Sequence, residues 1–205
     1  MDGIPLVGGH TALDLVNTCG RRDPEEYLPG PAELLAWAGR AGVVDDAEAA
    51  VVGGAWEARP RAARAALTEV RELREAVHAV LLGVIGLGPV SQPALDLVHT
   101  RWVAAAGRSS LVLHPGAVPP VRVAVGTVAA LLIPDRLAEA AVELLRTADP
   151  ARLRRCPTQE GGCGWLFLDR SRNGSRRWCR MADCGTEVKS RRLTERRRTA
   201  RGLDR

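Results

Sequence analysis

The stretch CPTQEGGC (Cys156–Cys163), GWLFLDRSRNGSRRW (164–178) and CRMADC (Cys179–Cys184) gathers four of the five cysteines of the chain into two pairs. Paired thiolates at this spacing can converge on one tetrahedral zinc ion, with Zn–S bonds of roughly 2.3 Å. The ligands expected are Cys156, Cys163, Cys179 and Cys184, with one zinc per chain. Gly161 and Gly162 let the first loop turn so that both of its sulfurs aim at one point. Trp165 to Leu168 is apolar enough for a strand, and Asn173-Gly174 is a strong hairpin signal. Arg176 to Cys179 is then expected to return as the second strand. Cys184 falls at the start of a helix running into KSRRLTERRR (189–198), so loop, hairpin and ligand-bearing helix follow a treble-clef plan. An iron–sulfur cluster competes for such ligands, but the gaps of six, fifteen and four residues match neither ferredoxin pattern. Four protein ligands close the coordination sphere, so the expected metal is structural.

The charge is divided as unevenly as the cysteines. Residues 151–205 carry 16 Lys plus Arg against 6 Asp plus Glu, whereas residues 1–150 carry 13 against 18. A basic unit attached to an acidic body points to a polyanion partner for the basic end alone. The candidate contacts with double-stranded DNA are Arg170, Arg172, Arg176 and Arg177 around the hairpin, and Lys189, Arg191, Arg192 and Arg196 on the helix. Contacts of this kind set affinity and make it salt-dependent.

No window approaches the ~20 apolar residues of a membrane span. The start MDGIPLVGGH lacks a basic region ahead of an apolar one, so a cytoplasmic protein with reduced cysteines is expected.

Residues 1–150 read as a mainly helical domain with one small β-hairpin, an α+β body. Pro31 and Gly42 bracket a first helix, and Asp45 or Asp46 caps a second ending near Trp56. From Pro60 onward, Leu67, Val70, Leu73, Val77 and Leu81 keep the 3.6-residue spacing of an amphipathic helix. His78 sits beside that stripe as a packed or half-exposed side chain. Ser91 caps a helix that Gly107 ends. SLVLH and VRVAV, separated by PGAVPP, read as a hairpin. A last helix spans about 127–147, with a kink or break at Pro134, and Asp149-Pro150 marks the domain boundary. In the N-terminal GGHTALDLVNT, the residues His10, Asp14, Asn17 and Arg21 recur at helical spacing. That stripe is either a solvated face or a polar wall of a small-molecule site built on His10, Asp14 and Asn17.

The run from Cys163 to Gly185, through WLFLDRSRN and RRWCRMADCG, resembles the CGNR zinc finger. GGHTALDLVNT and the helical body resemble the ABATE domain that precedes this finger in a family of proposed stress-induced bacterial transcription regulators. The resemblance covers nearly the whole chain and implies zinc at the four cysteines, DNA binding by the finger and ligand sensing by the body. Two departures stand out: Cys184-Gly185-Thr186-Glu187 replaces Cys-Gly-Asn-Arg, and the first cysteine pair is wider than usual. Glu187 suits a helix start but repels a phosphate placed there. The expected function is therefore a zinc-dependent DNA-binding regulator, not an enzyme, that senses a small molecule or dimerises through its body. A homodimer is expected from the size of the chain. The alternatives are a small-molecule-binding protein or enzyme using His10, Asp14 and Asn17, and a thiol-based redox or zinc sensor.

Overall fold

In the computed structural model, residues 4–23, 25–186, 188, 190 and 194 are described. The periodic segments fold as six helices: α1 (Thr11–Val16), α2 (Pro31–Arg40), α3 (Asp46–Ala58), α4 (Pro60–Val84), α5 (Gln92–Gly107) and α6 (Leu132–Thr147). Asp45 caps α3 through a full capping box, accepting from Glu48 N at 2.8 Å while the Glu48 carboxylate accepts from Asp45 N at 3.0 Å. The apolar stripe of α4 is buried from Ala63 to Leu81, and α1, α2, α3, α5 and α6 all pack against that helix. The expected hairpin is present, with β1 (Ser110–Leu113) antiparallel to β2 (Val121–Ala124). Among the described residues no helix is long and apolar enough to cross a membrane.

Three local expectations are corrected. Pro134 does not break the last helix. It lies in the first turn of α6, where N–H groups have no intrahelical partner and a proline loses nothing. The helix α1 has only six residues, so His10 and Asn17 are its caps and do not share a helical stripe with Asp14. In the finger, Arg176 to Cys179 forms no strand. The partner of β4 (Leu166–Leu168) is β3 (Leu153–Arg155), which pairs with it antiparallel from upstream of the first cysteine.

That swap matters for packing. Leu153 and Leu166 lie in the same hydrophobic cluster as Leu13, Val77, Leu137 and Leu144, so the finger strands and the helical body share one core. The connection between α1 and α2 is fixed to α4 by a buried arginine. Arg74 donates to both carboxylate oxygens of Glu26, at 2.8 and 2.7 Å, and through Nε to Glu75 at 2.8 Å. A buried guanidinium needs this many acceptors to offset its lost hydration.

Candidate metal centre and its setting

The loop between β3 and β4 aims the first two sulfurs. Cys156 N donates to Trp165 O at 2.8 Å, and Gly162 N donates to Pro157 O at 2.9 Å. Gly161 turns at φ +94°, a conformation that only glycine adopts without strain. A Cβ on Gly162 would stand 2.7 Å from Cys156 Sγ and 2.8 Å from Pro157 O. Both glycines that widen the first pair are thus required by the turn.

The second pair is set by Asp169 and Arg176. The Asp169 carboxylate accepts from Ser171 N at 2.9 Å and Arg176 N at 2.9 Å, closing the loop that follows β4. The Arg176 guanidinium then donates to Trp178 O at 3.0 Å, Val7 O at 3.2 Å and Cys179 O, and lies 4.5 Å over the Phe167 ring. It braces the backbone on either side of Cys179. A single π-helical turn, Met181–Gly185, delivers Cys184.

The four sulfurs lie within 4.8 Å of one another, with Cys163–Cys179 at 3.4 Å and Cys179–Cys184 at 3.8 Å. A tetrahedron with metal–sulfur bonds of about 2.3 Å has edges of about 3.8 Å, so the donor set fits one such ion. Cys156, Cys179 and Cys184 are buried and Cys163 is half-buried. The sulfurs lie close enough to hydrogen-bond to one another. Hydrogen bonding among them holds Cys156 well below the usual thiol range and pushes Cys163 and Cys179 above it. A divalent cation held by these four residues would be bound by them as thiolates, with release of their protons.

The finger is fastened to the N-terminal segment of the body. Asn17, fully buried, accepts from Leu166 N at 3.0 Å and donates to Leu166 O at 2.8 Å, acting as one residue of an added strand along β4. Leu168 N donates to Gly8 O at 2.8 Å, and Trp165 Nε1 donates to Cys19 O at 3.0 Å. Tyr27 meets the Trp165 ring edge-on at 6.3 Å.

The residues expected in a polar ligand wall therefore separate. Asp14 accepts from Gly8 N at 2.8 Å and shapes the entry to α1. His10 caps α1 through Nδ1 and, with Arg170 and Arg172, lines an open cleft of about 570 Å³ between α6 and the finger. Asn17 is part of the fastening and does not line that cleft.

The expected DNA contacts also divide. Arg170 donates to Gly9 O, and Arg177 pairs with Glu160. Arg172 is exposed. Arg180, which the sequence did not single out, is exposed beside Asp183 at 3.4 Å. Lys189, Arg191, Arg192 and Arg196 lie outside the described residues, as does Glu187. Two structural roles escaped sequence reading, the brace at Arg176 and the strand surrogate at Asn17. For Arg176 a signal existed, since an arginine between an Asx turn and a cysteine knuckle has many carbonyls within reach.

Residues 9–148 match the family model of the ABATE domain, described as "Putative stress-induced transcription regulator", and residues 152–197 match that of the CGNR zinc finger. The chain belongs to the ABATE family. No curated protein matches the chain. In this ABATE protein the two matched segments follow one another in the order the sequence resemblance implies. The four converging cysteines all fall within the finger segment. The hydrogen bonds across the seam come mostly from residues 7–22, just before and at the start of the ABATE match.

Proposed function

We propose that this protein is a zinc-dependent transcriptional regulator of the bacterial cytoplasm that binds double-stranded DNA through its finger, acts as a homodimer and is not an enzyme. The observation that carries the reading is the convergence of four thiols within 4.8 Å inside a small unit rich in arginine. One zinc per chain fills that site. It cross-links the loop after β3 to the turn before the basic segment, and four thiolates leave no position for a reacting water. Arg172, Arg177 and Arg180 are exposed on this unit and supply phosphate contacts together with the basic residues of 189–198. Arg176 serves DNA binding indirectly, by shaping the knuckle. A small-molecule effector would be taken by the open cleft at the seam, which His10 of the body lines together with Arg170 and Arg172 of the finger. The use of Asn17 and Asp14 for backbone fastening supports a sensing body over a catalytic one.

The test is selection of bound duplexes from a random pool by zinc-loaded protein, followed by a salt titration. Affinity is expected to fall steeply with salt, to vanish on chelation, and to drop at least about tenfold in Arg172→Ala/Arg180→Ala. Binding that survives zinc removal would refute the reading.

A further inference from the structure

The hairpin is the part of the body that the fold leaves uncovered. All the residues of β1 and β2 are exposed. Their register sets Leu111 opposite Val123 and Leu113 opposite Val121, and strand alternation places these four side chains on one face. They are 74, 58, 65 and 43% exposed, in that order. A two-stranded sheet covered on neither face is marginal in water, and a contiguous apolar face of this kind marks an interaction surface.

The face continues onto the body. Leu111 and Val123 form one wall of a groove of about 290 Å³ whose other wall includes Trp102, Ala106 and Glu139. Trp102 also lines an adjoining groove of about 550 Å³ between α5 and α6, together with Leu95, Val98, Val142 and Leu145. On α5, Leu95, His99, Trp102 and Ala106 fall at i, i+4, i+7 and i+11, a single stripe. Hairpin face and helical groove therefore form one apolar surface hinged at Trp102.

We infer that this surface is the interface of a homodimer, in which the β1–β2 hairpin of each copy lies over the α5–α6 groove of the other across a twofold axis near Trp102. The inference rests on the homodimer part of the function proposed above and adds its location. Area favours the reciprocal arrangement. The hairpin face alone offers on the order of 400 Å², typical of the largest patch on a monomer, whereas a stable interface covers about 800 Å² on each partner. The exposed groove side chains Gln92, Leu95, Asp96, His99 and Arg146 extend that face in each copy, and the twofold axis buries it twice. A twofold interface must also be self-complementary. The groove carries the exposed acid Asp96 on its α5 wall and the exposed base Arg146 on its α6 wall, so its rim has no net charge that would oppose the uncharged hairpin face of the other copy.

The test is sedimentation of the zinc-loaded full chain over a concentration series. The wild-type chain is expected to sediment as a dimer. Leu111→Glu in β1 and Leu95→Glu in α5 are each expected to raise the dimer dissociation constant at least about tenfold, with helical signal and melting temperature retained. Val51→Glu, at an exposed position on α3, is the control and leaves it unchanged. The two interface variants lie on different elements, so a folding defect in one leaves the other decisive. Wild-type dimerisation in both variants overturns the surface while the homodimer stands. A wild-type chain that stays monomeric throughout overturns both.

Discussion

Arg176 sits among carbonyl oxygens from three parts of the chain, Val7, Leu168 and the adjacent pair Trp178 and Cys179. Only a planar fork of donors satisfies that geometry, and an ammonium group cannot replace it. Arg176→Ala is expected to lower zinc affinity about 10- to 100-fold, the usual effect of losing a group that supports metal ligands. Arg176→Lys is expected to rescue little of it, measured by competition with a chromogenic chelator. His78 is a second residue whose role is set by its surroundings. Burial, reinforced by Arg21 and Arg155 and only partly countered by Glu75, lowers its pKa to about 4. An unfolded histidine titrates near 6.5. Between these values the unfolded chain binds the extra proton, so stability is full above about pH 6.5 and falls as the pH drops towards 4. His78→Gln is expected to flatten the urea midpoint over that window. The position of His78 beside the α4 stripe was legible from periodicity; the arginines around it come from distant segments and were not.

At the scale of elements, sequence patterns served best where the interactions are local. The capping box of α3, the proline-started α2 and the glycine-bearing cysteine loop all follow from residues a few positions apart. They failed where a strand had two possible partners. The segment β4 has a possible return in Arg176 to Cys179, yet it pairs with β3, because Leu153 on β3 can join the body core and the Asp169 loop leads the chain away. The other edge of β4 is taken by Asn17. Asn17→Ala removes both hydrogen bonds and leaves Leu166 N–H and C=O buried without partners. The expected loss is about 2–4 kcal/mol, since each orphaned group costs about 1–3 kcal/mol. Denaturant unfolding of the zinc-loaded chain measures it, and a change below about 1 kcal/mol would remove Asn17 from the fastening.

For the whole molecule, the shared core makes finger and body thermally dependent on each other. Leu153 and Leu166 are buried among residues of α1, α4 and α6, so a finger that loses its metal withdraws side chains from the body. Zinc held at a hundred times its dissociation constant stabilises the folded chain by about 2.7 kcal/mol. For a chain of this size that corresponds to a melting shift of roughly 5–10 °C. Chelation is expected to lower the melting of the body helices by that amount, in one transition followed by circular dichroism. Two separate transitions, with the helices unmoved, would show the units to be independent.

The sequence by itself determined the helical body, the hairpin, the four-cysteine cluster and the uneven charge, because spacing, turn residues and composition are local properties of a chain. Only the tertiary structure decided which strand pairs with β4, that Asn17 and Arg176 are spent on backbone groups, and that His10 reaches a cleft shared with the finger. Those outcomes depend on which buried carbonyls and amides lack a partner once the core has closed. That is settled by segments up to 169 residues apart.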